Sequence, residues 1–355
     1  MTKKIQPALV VMIGVGMSIL FATFATVAAS TTTSHDIRPG YGVSELRWLS
    51  EYLPALEGTP GDTPIYVMHG DEPGGAFLLL GGTHANEIAG VMAATLFVER
   101  ATVTQGTVYV IPHANNSASS YNSGVYNTTT PQWFELTNSA GEVRQFRYGD
   151  RRTNPSDQEP DPDVFIHDPS GLELDGGEAR NLNRNHPGKA DGTLTQQISH
   201  ALFTLVDQEE VDVLVDMHES SIISRLANML VSHPRAVDIA AFSILDLEME
   251  GLVLKQEVSS KEFFGLSHRE FGDRTNAFAF LIESRNPGQE GSIINPDVVN
   301  DSRSPLADRV FLQLRTIEAI LTNHALLEGS STAIAFAFPF ALSELRGGDL
   351  GAFLR

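Results

Sequence analysis

The sequence contains no cysteine. This absence excludes disulfide bonds and a lipid anchor on a cysteine, so a protein of this kind that works outside the cytosol depends on core packing alone for its stability. Of its 355 residues, 42% are hydrophobic and 19% are charged. The chain is therefore not disordered, and it can bury a full core in one large domain or two small ones.

Basic residues are also scarce. The 24 Lys and Arg residues stand against 44 Asp and Glu residues, which gives a formal net charge of −20. Nucleic acid and anionic lipid are bound by clustered basic side chains that displace counterions, so this balance opposes both partners. We expect no nucleic-acid partner and favour a basic partner or a small ligand.

The N-terminal segment is low in charge. After the two lysines of MTKK, residues 5 to 34 contain no charged side chain, and residues 8 to 29 are largely apolar. This pattern predicts a signal peptide over residues 1–29, with a small-residue cleavage site after Ala29. The same stretch could span a bilayer of roughly 30 Å, so an uncleaved anchor is the alternative. We expect an exported protein, periplasmic or extracellular, with no stable membrane contact once the signal is cleaved.

Short apolar runs then alternate with stretches of helical periodicity. The sequence predicts strands at 76–82, 107–112, 211–218, 227–232 and 277–284, and helices at 87–100, 194–210, 235–250 and 305–327. Alternation of this kind, with nearly continuous apolar strands, predicts an α/β fold in which helices cover both faces of a mostly parallel or mixed central sheet. We predict one domain over residues 36–328, followed by a tail at 329–355 to which we assign no role.

A long polar stretch interrupts this alternation at about residues 113–193. It is rich in Asn, Gly, Pro, Asp and Ser and is longer than an ordinary connection, so it is either a disordered insert or a functional lid. The aromatic residues within it favour the lid: Tyr121, Tyr126, Trp133, Phe134, Phe146 and Tyr148.

Polar residues stand at the carboxyl ends of three predicted strands. His84 and Glu87 follow the first strand, His218 ends the third, and Glu283 ends the fifth. Ligands of open α/β sheets bind outside the carboxyl ends of the strands. Two His and one Glu with a fourth position open are the ligand set of a catalytic zinc ion, and a further Glu that does not bind the metal would be the general base.

Each of these residues also has a structural alternative. The His-x-x-Glu spacing often arises by chance, His218 alone could be a hydrogen-bonded residue at a strand end, and Glu283 could pair with Arg285 or Arg274. Their joint position at strand ends favours the metal site. The histidines in predicted loops or helices are interpreted as solvated or structural: His113, His167, His186, His200, His233, His268 and His324.

Four motifs occur in a familiar order: GGTHANE, NLNRNHPG, VDMHES and FLIES. Over residues 60 to 328 the chain resembles the zinc carboxypeptidase-like deacylases, in particular the succinylglutamate desuccinylase and aspartoacylase group. The resemblance implies one Zn²⁺ per chain held by His84, Glu87 and His218. It also implies that Glu283 is the base that activates the attacking water.

The resemblance implies substrate contacts as well. Asn183 and Arg184 match the pair that holds the substrate carboxylate, to which a planar guanidinium can donate two parallel hydrogen bonds. The family uses a further upstream Arg to stabilise the oxyanion, for which we favour Arg151 or Arg152. Arg180 lies nearer to the pair and is a further candidate for substrate contact.

Three positions depart from the family pattern without removing a metal ligand or the base. Ala85 replaces the usual Gly after the first His, and His186 replaces the usual Phe before Pro-Gly. Asn181 replaces an Asp that is expected to accept a hydrogen bond from a zinc-bound His. Its amide oxygen can still accept that bond, but without the charge we expect zinc to be held less tightly.

The function that follows is an exported zinc-dependent amide hydrolase that deacylates an N-acyl amino acid or a similar small amide carrying a carboxylate. One alternative is a metallocarboxypeptidase, because the same Asn-Arg pair would grip the C-terminus of a peptide. An alternative of another class is a non-catalytic exported protein that binds a metal or a ligand. An intact Glu283 argues against this last alternative.

Overall fold

The structure is a computed structural model that describes residues 35–355. The predicted signal peptide, residues 1–29, lies outside the described residues. None of the helices within the described range combines the length and the apolar character needed to span a lipid bilayer.

The described residues form thirteen strands and five α-helices. The strands are β1 (Glu45–Trp48), β2 (Pro64–His69), β3 (Glu72–Leu80), β4 (Thr102–Ile111), β5 (Trp133–Thr137), β6 (Val143–Arg147), β7 (Val164–His167), β8 (Leu172–Asp175), β9 (Val213–Ser221), β10 (Met229–Ser232), β11 (Lys255–Val258), β12 (Phe278–Asn286) and β13 (Ala335–Ala337). The helices are α1 (Ile88–Arg100), α2 (Leu194–Gln208), α3 (Val237–Met249), α4 (Ser267–Arg274) and α5 (Leu306–Glu328).

The central sheet is mixed, as the sequence predicts. Its strand order is β1-β2-β4-β3-β9-β12-β10-β11, and β13 adds to β4. The four central strands, β4, β3, β9 and β12, are parallel to one another. Strand β10 runs antiparallel to β12, and β11 is parallel to β10 at the edge. The parallel centre brings the carboxyl ends of β3, β9 and β12 to one edge, where the site residues are.

Both faces of the sheet are covered. Along β3, Phe77 and Leu79 pack into the core under α1, α3 and α5, whereas Leu78 and Leu80 pack into a second core under α2. All four side chains are buried. Because successive residues of a strand point to opposite faces, a continuous apolar run is what a strand between two helical layers requires. The predicted α/β fold is confirmed.

The polar stretch at 113–193 is folded. It contains two antiparallel hairpins, β5–β6 and β7–β8, together with short 3-10 helices. Its first residues are buried against the domain. The C-terminal residues 329–355 pair β13 with β4 and pack further 3-10 helices onto the domain.

Candidate active site

Three predicted metal ligands meet at the carboxyl edge of the sheet. His84 and Glu87 lie in the turn between β3 and α1, and His218 lies near the end of β9. His84 Nδ1 is 2.8 Å from one carboxylate oxygen of Glu87, and His218 Nδ1 is 2.7 Å from the other. The two Nδ1 atoms are 3.2 Å apart. All three side chains are buried.

The other ring nitrogens determine which tautomers are present. His84 Nε2 faces Asn181 Oδ1 at 2.9 Å, and His218 Nε2 faces Asp216 Oδ2 at 2.8 Å. The NH₂ group of Asn181 donates to Glu178 Oε2 (2.5 Å), which fixes the orientation of the amide. Its oxygen therefore faces His84 Nε2 as an acceptor, so that Nε2 must carry the proton. Protons on the two Nε2 atoms leave both Nδ1 lone pairs directed at the Glu87 carboxylate.

Two Nδ1 lone pairs and the Glu87 carboxylate repel one another at these distances unless a positive charge lies among them. Burial lowers the pKa of His84, which keeps that ring neutral. Burial also disfavours a charged His218, yet the carboxylates of Asp216 and Glu87 hold the pKa of His218 well above its usual range. A proton on His218 or a bound cation would supply that charge.

The donor set fits a metal ion. A tetrahedral zinc ion with bonds of about 2.0–2.1 Å holds its ligand atoms about 3.3 Å apart, close to the 3.2 Å between the two Nδ1 atoms. Two imidazoles and a carboxylate are ligands that zinc accepts. Within the described part of the chain, His84, Glu87 and His218 form a group that could bind a metal.

Local packing explains why these three residues meet. Gly90, in the first turn of α1, lies so close to β9 that a Cβ there would be 2.7 Å from the carbonyl oxygen of Met217. A side chain at this position would push α1 away from β9, and Glu87 would move away from His218 with it. The Glu87 carboxylate is held further by the backbone N–H of Glu219 (3.0 Å) and by the side-chain amide of Gln289 (3.1 Å).

Glu283 lies beside this group. It is the parallel partner of His218 in the β9–β12 ladder, so the two side chains point to the same face of the sheet. Its Oε2 atom is buried and has no hydrogen-bond partner among the described residues. Burial and the negative charge of Glu87 raise the pKa of Glu283. A carboxylate with a buried, unpartnered oxygen next to a candidate metal site has the position of a general base.

Asn183 and Arg184 border the same cavity. Oδ1 of Asn183 accepts a hydrogen bond from the backbone N–H of Ser267 (2.7 Å), which leaves its NH₂ group for a ligand. One nitrogen of the Arg184 guanidinium donates to the carbonyl of Asn183 (2.6 Å). Burial and the neighbouring Arg151 lower the pKa of Arg184. Two guanidinium groups that border one cavity favour an anionic ligand in it.

Of the three upstream arginines, Arg151 borders the cavity. The backbone next to it is held against the turn that carries His84 and Glu87. The backbone N–H of Ala85 donates to the carbonyl of Asp150 (2.8 Å), and the carbonyl of Ala85 accepts from the backbone N–H of Gly149 (3.2 Å). Ala85 has no positive φ, so the methyl group at this position does not strain the turn. Gly149 makes room for it, because a Cβ there would be 2.5 Å from the Ala85 Cβ.

The other two arginines are paired elsewhere. Arg152 donates to Glu178 (2.8 Å), and Arg180 makes a two-point contact with Asp161 (2.6 and 2.9 Å). Neither side chain borders the cavity. The structure therefore brings Arg151 to the site and leaves Arg152 and Arg180 in supporting positions.

The cavity at the carboxyl edge has a volume of about 560 Å³. The polar stretch supplies part of its wall with Tyr126, Arg151, Leu172, Asn183 and Arg184. Another part of the wall comes from the loop before α4 and from α4 itself. His268, interpreted from the sequence as solvated or structural, also borders the cavity.

A second cavity of about 590 Å³ lies at the amino ends of the strands. Two of its acidic residues are already engaged: Glu209 accepts from Arg47, Tyr52 and Tyr109, and Asp212 accepts from the backbone of Ala76. It contains none of the predicted site residues.

Asp216 is the main residue that sequence reasoning missed. It is fully buried and accepts hydrogen bonds from Thr83 Oγ1 (2.7 Å) and Ser267 Oγ (2.6 Å) in addition to His218. Its spacing could have revealed it, because Asp216 and His218 are two residues apart on a strand and therefore share a face.

No protein-family model matches the chain, and no curated protein sequence matches it. A succinylglutamate desuccinylase/aspartoacylase structure from Rhodobacter sphaeroides is similar, with 18% identity, a TM-score of 0.43, and coverage of 73% of this chain and 59% of that chain. The apo Cell Shape Determinant protein Csd4 from Helicobacter pylori has 14% identity, a TM-score of 0.46, and coverage of 80% and 58%.

The product-bound Ectoine utilization protein EutE (DoeB) from Ruegeria pomeroyi has 16% identity, a TM-score of 0.44, and coverage of 73% and 60%. The chain thus spans less than two thirds of the length of each of these three proteins. The solved structures that it resembles include members of the family that its sequence motifs resemble.

Proposed function

We propose that the protein is a zinc-dependent hydrolase of amide bonds that deacylates N-acyl amino acids or similar small amides with a free carboxylate. The observation that carries the proposal is the convergence of two Nδ1 lone pairs and the Glu87 carboxylate beside Glu283, whose Oε2 has no partner among the described residues. A protein that only binds metal has no need of such a carboxylate next to its ligands.

The metal would be held by His84, Glu87 and His218. When bound, zinc supplies a Lewis acid that polarises a carbonyl and makes water more acidic. Glu283 would take a proton from the attacking water and deliver it to the leaving nitrogen, so that the amine departs neutral.

The cationic residues have separate roles in this proposal. Arg151 would donate to the carbonyl oxygen as negative charge develops on it in the transition state. Arg184 and the NH₂ group of Asn183 would hold the carboxylate of the substrate and fix the scissile bond over the metal.

A metallocarboxypeptidase is the second candidate. A C-terminal carboxylate presents the same two oxygens to Arg184 and Asn183 as the carboxylate of an N-acyl amino acid, so the grip alone does not separate the two substrates. N-acyl amino acids assayed beside peptides of two to five residues decide between them.

The test combines metal analysis with an amide-hydrolysis screen of the purified protein. We expect about one zinc per chain and hydrolysis that chelation abolishes. Glu283→Gln should retain zinc and lose hydrolysis, whereas Glu248→Gln, an exposed carboxylate on α3, is the matched control and should change neither. A protein that binds no zinc, or a Glu283→Gln variant that hydrolyses normally, would contradict the proposal.

We also propose that the protein is exported. The support is the charge pattern of residues 1–34, in which two lysines precede an apolar stretch without charged side chains. N-terminal sequencing of the protein recovered from cell fractions tests this. A new N-terminus near residue 30 outside the cytosol is expected, and an intact N-terminus found only in the cytosol would refute export.

A further inference from the structure

The floor of the cavity continues from the metal site across the sheet. Leu281 lies two residues before Glu283 on β12 and therefore points to the same face. In the ladders next to it, Leu281 is paired with Val231 of β10, and Val231 is paired with Glu257 of β11. Paired residues share a face, so Leu281, Val231 and Glu257 form one row across the sheet, two residues along β12 from Glu283. All four border the cavity.

The middle of this row is apolar. Leu281 and Val231 are buried and pack together with Leu226. Phe263 and Leu266, in the loop before α4, border the same space. These side chains offer apolar contacts to a substrate, and a hydrocarbon stem is the group that such contacts favour.

The far end of the row carries a negative charge. Glu257 is half-buried on the edge strand, and no described residue forms a salt bridge with it within 4.0 Å. The neighbouring Lys255 donates to the backbone carbonyl of Arg225, and the Arg225 side chain is exposed at the rim. Glu257 therefore lies at the end of the row, beyond the apolar side chains of Leu281 and Val231, and its carboxylate can pair with a ligand.

Arg184 and Arg151 border the cavity near the predicted metal ligands, and Glu257 borders it two strand spacings away from β12, roughly 10 Å. We propose that Glu257 selects substrates whose amino-acid side chain is an apolar stem with a terminal amino group, such as lysine, over those with a neutral or acidic end. This inference rests on the proposed function, because it places the substrate carboxylate on Arg184.

The test compares three substrates with the same acyl group: Nα-acetyl-lysine, Nα-acetyl-norleucine and Nα-acetyl-glutamate. Norleucine keeps most of the hydrocarbon stem of lysine and lacks its charge. An ion pair at a partly exposed position predicts that kcat/KM for the lysine substrate exceeds that for norleucine by about ten-fold. The glutamate substrate should be the poorest of the three, because its carboxylate would face Glu257.

Variants assign this preference to one residue. Glu257→Gln should lower the lysine-to-norleucine ratio by about ten-fold. Glu262→Gln is the matched control, because Glu262 borders the same cavity but is exposed on the loop, and it should leave the ratio unchanged. Fastest hydrolysis of the glutamate substrate, or a lysine preference that survives in Glu257→Gln, would overturn the inference.

Calorimetric binding of the same three compounds to the Glu283→Gln variant separates this inference from the proposed function. Preferred binding of the lysine compound without hydrolysis by the unmodified protein would contradict the hydrolase proposal and support the selective role of Glu257. Hydrolysis without that preference would contradict the role of Glu257 alone. If the three compounds are neither bound nor hydrolysed, both the hydrolase proposal and the role of Glu257 are overturned.

Discussion

Asp216→Asn tests how the charge behind a metal ligand controls metal affinity. The Asp216 carboxylate is fully buried, and its Oδ2 accepts from His218 Nε2 (2.8 Å) and from Ser267 Oγ (2.6 Å). Its Oδ1 accepts from Thr83 Oγ1 (2.7 Å). An asparagine can keep all three contacts, since its oxygen can replace Oδ2 and its NH₂ group can donate to the Thr83 hydroxyl in place of Oδ1. The substitution therefore removes the charge and preserves the geometry.

The expected loss follows from that difference. The negative charge on Asp216 makes the His218 ring a stronger electron donor to a metal, and removing such an outer partner costs about 10- to 100-fold in metal affinity. At about 1.4 kcal/mol for each ten-fold change, this is about 1.4–2.8 kcal/mol. His84 Nε2 already has the neutral partner Asn181, so after the substitution neither imidazole would have a carboxylate at its Nε2 atom.

Competition with a chromophoric chelator at fixed pH measures the zinc dissociation constant. Asp273→Asn is the matched control, because it removes the charge from another His–Asp pair, that of His233 (3.0 Å), away from the cavity. Thermal unfolding of the apo proteins separates a loss of fold from a loss of affinity. If zinc affinity changes less than three-fold in a folded Asp216→Asn protein, the assignment of His218 as a ligand supported by Asp216 is refuted.

Four further outcomes are expected. Glu283→Gln should lower kcat by about 10²- to 10⁴-fold with zinc retained, because a general base acts in the transition state, and a near-normal kcat would remove it from the mechanism. Arg184→Ala should mainly raise KM, by the 10- to 150-fold that corresponds to about 1.5–3 kcal/mol for a charged hydrogen bond, and an unchanged KM would argue against the carboxylate grip. Limited proteolysis should cut residues 113–193 first and more slowly with a bound inhibitor, whereas equal cutting with and without the inhibitor would argue against a lid. Burial lowers the pKa of His35, which stacks on His113, from 6.5 to about 4. The unfolded chain therefore binds a proton at His35 more readily than the folded protein does, and the free energy of unfolding should fall as the pH drops from 6.5 towards 4, by at most about 1.4 kcal/mol per pH unit. Urea titrations measure this loss. If the His35→Gln variant shows the same loss, His35 is not its cause.

The sequence alone determined the layered fold and the metal-ligand candidates. Strands β3, β9 and β12 are buried between two helical layers, so they must be continuous apolar runs, and such runs are visible in the sequence. His84, His218 and Glu283 stand at or just after the carboxyl ends of these strands, where open α/β sheets bind their ligands. Elements without a long apolar run were missed, such as the exposed edge strand β11 and the short helix α4, whose buried residues are mostly polar.

Tertiary structure decided the residues that act through partners from distant parts of the chain. Arg151, Arg152 and Arg180 are alike in sequence, and only the path of the polar stretch shows that Arg151 faces the cavity while the other two are paired. Nothing in the sequence around Glu257 marks it as a site residue, and the strand that carries it was not predicted. The place of Glu257 at the border of the cavity depends on the register of β10 with both β12 and β11. Register is set by packing between strands, and β10 and β12 are neighbours in the sheet but not in the chain.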